Sequence, residues 1–365
     1  MRWRHPAGKS WVTPELLPTQ YPLSDWDGSQ PTLVISWQEV TPGHLKFSGA
    51  IEMPKLSLRH NAAVNQTEVD LSRGIFVLRQ TDLFIADDLP LSLTRAYDAW
   101  DPSVYAFGQG TNHPYDVAPT GTRNPYTYMD LILEDGRSVH FDRISKGTDY
   151  NDAVFEHHAT SSEFSGSRIS WARDGGWDLH LRDGSKYFFP EAYNAKSLAQ
   201  GAAWNMRDGL GHAIEFRRDD ARNLKELKSS SGHWIRFGYD GSNRILEATD
   251  DSGNLRRYSY YADWRLGTVS DKSRVLYAFS YASILNAVGF PTHLMSSIND
   301  GWGKPIVENE YSRGQISQQK LADGSVYRYK YVVDSNNNVV STFVTFPDGH
   351  KRQFNFQNGR LISSR

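Results

Sequence analysis

The chain has 365 residues, enough to bury a sizeable core in two or three domains or in one extended repeat body. Its 40 Lys and Arg against 42 Asp and Glu leave a net charge of −2, which excludes the global basic field of a nucleic-acid or anionic-membrane binder. The absence of cysteine excludes a disulfide framework, a thiolate metal site and a cysteine nucleophile, and it fits either the cytosol or export that does not rely on disulfides.

The first residues, MRWRHPAGKSWVTPELLP (Met1–Pro18), begin basic but lack the apolar run of roughly 7–15 residues that a secretory signal needs. No stretch approaches the ~18–20 apolar residues of a membrane helix, so the chain reads as soluble and any export would use a dedicated route. DWDG (Asp25–Gly28) resembles the start of a calcium loop, but the residue at the bidentate position is Ser36, and an Asx turn fits better. With 11 Trp, 19 Tyr, 17 Phe and 29 Gly the composition favours strands joined by tight turns. Period-2 alternation predicts strands over Pro31–Val40, Lys55–His60, Pro90–Tyr97, Arg137–Asp142 and Ser325–Val333. Asp82, Asp87 and Asp88 cluster between two of these. In EHHAT (Glu156–Thr160), His157 and His158 would point to opposite faces of a strand, which argues for a polar turn over a metal site. Only Glu191–Trp204 has helical composition, and its internal Gly201 and missing N-cap limit it to a short helix or an ordered loop.

From about residue 205 the sequence repeats. Strand starts that follow a polar turn fall at Leu224, Ile245, Leu266, Leu294, Ile316, Val339 and Leu361, with spacings of 21, 21, 28, 22, 23 and 22. A second phase of turns includes DGLGHAIEF (Asp208–Phe216), DSGNLRRYSY (Asp251–Tyr260) and PDGHKRQFNF (Pro347–Phe356). Each unit is a hairpin of about 21 residues: an Asp/Ser-x-Gly turn supplies positive φ, the next strand sets aromatics on one face, and an Asn/Gly turn returns the chain. One hairpin cannot bury its aromatic face alone, so the units are expected to pair side by side into a long twisted antiparallel sheet. Gly211, Gly232, Gly253, Gly303, Gly324 and Gly349 are the expected structural turn positions, and the 28-residue interval reads as a loop insertion on one rim.

At these residues a resemblance emerges. YDGSNRILEATDDSGNLRRYSY (Tyr239–Tyr260) resembles the YD repeat of bacterial Rhs proteins through Tyr239, Asp240, Arg244, Ile245, Gly253, Tyr258 and Tyr260, and NGRLIS (Asn358–Ser363) repeats its Gly-Arg-Leu turn. GIFVLRQTDLFIADDLPLSLTRAYD (Gly74–Asp98) resembles the segment that opens Rhs cores, with Asp82 in its Thr-Asp-Leu strand. Several units lack the Tyr-Asp pair, and no Asp-Pro-x-Gly-Leu ending or PAAR-like module is present, so neither self-cleavage, a toxin nor spike docking carries over.

The resemblance implies an all-β protein, an open shell or partial cocoon of repeated hairpins. The expected parts are a β-rich region over 1–69, a core-opening β domain over 70–204 and the hairpin array over 205–365. The implied role is a non-catalytic wall around a toxin or other polypeptide in bacterial competition, without metal or cofactor, secreted or displayed at the cell surface by a dedicated route and cytoplasmic before export. No G-x-S-x-G, H-E-x-x-H or P-loop motif occurs. His233 and Trp234 read as packing on a sheet face. The alternative is an extracellular glycan-binding adhesion module, for which Trp100, Trp177 and Trp302 are the candidate stacking residues. The last unit, ending in LISSR, predicts an unpaired sheet edge that meets another protein chain, either a second copy or a separate shell chain.

Overall fold

The computed structural model describes residues 33–41, 44–51, 69–158, 164–192, 195–285 and 291–365, with Leu33–Ile51 and Pro291 as backbone only. The chain divides into two compact units, Met1–Leu56 and Ser57–Arg365. In the first, Leu33–Thr41 and His44–Ile51 form an antiparallel hairpin with Leu33 opposite Ile51. The Asp25–Gly28 turn and the Lys55–His60 strand lie outside the described residues.

The second unit begins with an opening segment, residues 69–117. Its core is the hairpin Ile75–Ile85 with Leu91–Asp98, flanked by Val69–Asp70 and Thr111–Asn112 in a four-stranded sheet. From Ala118 onward the chain forms one antiparallel sheet of 22 strands, each paired with its sequence neighbours, from Ala118–Gly121 to Arg360–Ser364. No register joins the first of these strands to the last, so the sheet is open. The boundary expected at 204/205 falls inside it, because Lys186–Phe189 pairs with Asn205–Arg207. The sheet therefore starts well upstream of the recognisable repeat.

Alternation drives the array. Ala213–Arg218 buries Ile214 and Phe216 while exposing Glu215 and Arg217, and Trp234–Tyr239 buries Ile235 and Phe237. Leu224, Ile245, Leu266 and Val339 each begin a strand and are buried, as are Leu294 and Ile316 just inside theirs. Leu361 lies in the last strand, all of whose residues are exposed. The 28-residue interval needs a correction: its extra residues lengthen the strands themselves, Val275–Leu285 and Pro291–Asp300, with pairing continuing to Leu285↔Pro291. Among the described residues the expected helix is four residues long, Leu198–Gly201.

The Asp/Ser-x-Gly hairpin turns share one geometry. At Asp250, the Gly253 N–H donates to the Asp250 carbonyl at 3.0 Å and the Asp250 N–H to the Asn254 carbonyl at 3.1 Å, a tight turn followed by a left-handed residue. Gly211, Gly232, Gly253, Gly303, Gly324 and Gly349 occupy that left-handed position, with φ of 97°, 102°, 79°, 82°, 86° and 88°. A Cβ on Gly324 would meet nothing within 4 Å, so the demand there is conformational only. Gly324→Val is therefore expected to cost about 1–3 kcal/mol through backbone strain alone. Urea denaturation tests this, and an unchanged midpoint would refute the assigned register.

Candidate functional site

Backbone pairing in the repeat hairpins stops before the strands end. In the pair 224–229 and 234–239 the ladder ends at Glu226↔Arg236, leaving the start of one strand splayed from the end of the next. In four of these units a tyrosine closes the gap. The hydroxyl of Tyr239 donates to the Leu224 carbonyl at 2.9 Å, Tyr260 to Ile245 at 2.6 Å, Tyr281 to Leu266 at 3.1 Å and Tyr311 to Met295 at 2.6 Å. These tyrosines are half-buried, and desolvation of their hydroxyls pushes the pKa values up, which keeps them donors. Tyr260→Phe is expected to cost about 1–2 kcal/mol, because the Ile245 carbonyl loses its donor in a fully buried position. A denaturation midpoint equal to wild type would remove the tyrosine from this role.

The aspartate after the tyrosine has a separate task. Asp240 accepts the Ser242 and Arg244 backbone N–H groups at 2.9 Å each and the Arg244 Nε at 2.8 Å, fixing the turn. The Arg244 guanidinium then lies over the Tyr260 ring at 4.4 Å, and Arg265 lies over Tyr281 at 4.7 Å. Two successive units thus hold the tyrosine of the next through a cation–π contact.

The opening segment docks onto these same gaps. The Ile245 N–H donates to the Ala106 carbonyl at 2.7 Å, and the Ile316 N–H to the Gly74 carbonyl at 2.8 Å. The Met295 N–H donates to the Tyr97 hydroxyl oxygen at 3.2 Å, and the Gln109 N–H to the Trp264 carbonyl at 3.1 Å. Further along, the Thr342 hydroxyl reaches the Leu71 carbonyl at 2.6 Å. One face of the array from residue 213 to 345 is therefore stitched to residues 69–117 of the same chain.

Buried charge reinforces the joint. Arg95 grips Asp82 with two hydrogen bonds, 2.6 and 3.0 Å, and the Tyr258 hydroxyl from the array donates to the same carboxylate at 2.9 Å. Arg73 pairs with Asp98 at 2.8 Å, and Arg79 with the buried Glu134 at 2.6 Å. Burial pushes the Asp98 carboxyl up to about 6 against the pull of the Arg73 guanidinium. Asp87, read from sequence with Asp82 as one cluster, is instead a surface contact to the Ser231 hydroxyl.

The other sequence candidates are scattered. Trp177 is a correction: it is 1% exposed, begins the strand Trp177–His180, and donates its indole N–H to Glu191 at 2.7 Å. Its ring packs against Trp171 and Phe155, so no sugar can reach its face. Trp100 is 48% exposed and its indole N–H donates to the Gly314 carbonyl, another stitch between opening segment and array. Trp302 is 77% exposed with the Arg274 guanidinium 4.6 Å over its ring. His157 is buried with Nδ1 2.7 Å from the His140 carbonyl, while His158 points outward toward Glu156. His233 is bonded to Asp251, and Trp234 stacks under Arg236. The tyrosine closures and the docking bonds escaped the sequence reading. A Tyr 15 residues after Leu224, Ile245 and Leu266 was the available signal.

Residues 66–141 match a family described as a domain of unknown function, DUF6531, which spans the opening segment and the first hairpin of the array. No curated protein matches the chain. Among solved structures, the chain is similar to the TcdB2-TccC3-Cdc42 crystal structure at 12% identity and a TM-score of 0.33, covering 78% of this chain and 19% of that one. It is also similar to the Photorhabdus luminescens Tc holotoxin pore with a TccC3 variant, at 12% identity and a TM-score of 0.31, covering 76% and 18%. A porin-like protein from Bacteroides uniformis aligns at 11% identity and a TM-score of 0.21, covering 72% and 96%. The chain spans about a fifth of the length of the Tc chains.

Proposed function

We propose that this chain is a non-catalytic wall segment of an Rhs-like assembly that encloses a toxin or other polypeptide. The observation that carries this reading is the open 22-strand sheet, one face of which is stitched from residue 213 to 345 to the chain's own opening segment. The other face carries charged cross-strand pairs, Arg217 with Glu226, Arg236 with Glu226 and Lys320 with Glu308, as a water-facing wall requires. The Rhs-type motifs of the sequence support it, and the similarity to Tc toxin chains is compatible with it. Such a wall would act outside the cell that makes it.

The wall extends by pairing. Arg360–Ser364 is bonded on one side only, to Lys351–Gln357, whereas Ala118–Gly121 at the other end carries Pro119 and is contacted by the helix Leu198–Gly201. The expected result of size-exclusion chromatography with light scattering is self-association, or capture of a separate shell chain, with protection of amides 343–365 appearing on assembly. A monodisperse monomer near 41.4 kDa with those amides already strongly protected would overturn this.

A further inference from the structure

We propose that His113 is a proton-sensitive latch that holds the opening segment against the array near neutral pH and loosens it in acid. His113 follows the strand Thr111–Asn112 and precedes the turn Pro114–Asp116, and it is 0% exposed. Its ring lies among Phe107, Tyr115 and Phe237, at centroid distances of 6.1, 5.7 and 6.4 Å. Neither ring nitrogen has a hydrogen-bond partner, and neither has the side-chain amide of the neighbouring Asn112. A fully buried imidazole with two unmatched nitrogens is costly as a structural residue, since an apolar ring would fill the same space without that penalty.

The groups that face it define what a proton would do. Nε2 is 3.8 Å from Asp116 Oδ2, but Asp116 is already engaged by the Arg218 guanidinium at 2.8 Å. Arg218 comes from the array strand Ala213–Arg218 and also donates to the Tyr115 carbonyl. The remaining titratable neighbours are the hydroxyls of Tyr115, bonded to Ser92, and Tyr239, bonded to Leu224, neither of which can supply negative charge at neutral pH. Protonation would place two buried cations around one carboxylate, at a joint whose halves, His113 with Asp116 and Arg218 with Phe237, belong to the opening segment and the array.

Burial holds the imidazole pKa below its usual value, and the Asp116 charge only partly offsets this. The unfolded value is about 6.5. A base with a depressed folded pKa contributes fully above the unfolded value, and that contribution is lost as pH falls below it toward the folded value. The surface histidines act in the opposite sense: His212 and His233 are raised by hydrogen bonds to Asp208 and Asp251, so their contributions are lost as pH rises.

The test is hydrogen exchange at pH 7.5 and 5.0, corrected for intrinsic rates, on amides 105–117 and 213–239 of the full chain. Wild type is expected to lose about tenfold in protection, and His113→Phe, which fills the same ring cluster without nitrogens, less than about twofold. Unchanged wild-type protection at pH 5.0, or an equal loss in the variant, would overturn the latch. Should the variant fail to fold, an NMR titration of wild type decides. The His113 ring, assigned through its contacts to Phe107 and Phe237, must stay neutral below the titration of the surface histidines, and an ordinary titration near pH 6.5 would end the proposal.

Discussion

Replacing Arg95 with methionine is expected to lower the free energy of unfolding by about 3–5 kcal/mol. Arg95 is 2% exposed, and its carboxylate partner among the described residues is Asp82, which is also buried. Removing the cation leaves an anion in the core with only the Tyr258 hydroxyl to stabilise it. The guanidinium also lies 5.5 Å over the Phe279 ring, so the substitution loses an aromatic contact on a strand two hairpin turns away. The double variant Arg95→Met with Asp82→Leu is expected to recover most of the loss, because it removes the stranded charge together with its partner. Chemical denaturation of the three variants measures this. If the double variant is as unstable as the single one, the pair is held by packing and its charge is incidental.

Gly108→Val is expected to cost at least about 3 kcal/mol, from backbone strain, overpacking and a lost hydrogen bond together. Gly108 has φ +87°, and a Cβ there would sit 2.2 Å from the Trp264 carbonyl oxygen. That oxygen also accepts the Gln109 N–H, so the side chain would force the opening segment off the turn it docks on. Gly324→Val carries the same strain without the collision. Thermal denaturation of the two variants side by side separates the effects, and equal losses would show that residues 106–109 do not anchor the segment.

The hairpin array was legible because its signals are local. The turn at Gly253 lies within one unit, the apolar starts at Leu224, Ile245 and Leu266 fall one unit apart, and alternation alone fixes which face they bury. The resemblance likewise located the opening hairpin, and the alternating run Pro90–Tyr97 became the strand Leu91–Asp98. The upstream strands of the same sheet were not legible as part of it, since their turns at Gly136, Gly175 and Gly184 are not accompanied by the Tyr-Asp pair. Trp177 was misread because Gly175 and Gly176 before it look like a loop, whereas they form the turn from which a core strand departs. The docking of Ala106 on Ile245 or of Gly74 on Ile316 has no local trace at all. It pairs backbone groups, which carry no side-chain signature, across long separations.

Those separations give the chain a timetable. Arg218 meets Asp116 across 102 residues, Tyr97 meets Met295 across 198, Arg73 meets Gln315 across 242, and Leu71 meets Thr342 across 271. A ribosome delivers the opening segment before the array, so these bonds close only as later hairpins emerge, and of the four the Leu71–Thr342 contact closes last. Until then Phe76, Leu78 and Leu93, all core residues of the finished protein, wait without the surface that will cover them. The nascent chain is thus most vulnerable at its beginning and for the longest time, which makes the opening segment the natural client of a chaperone during synthesis.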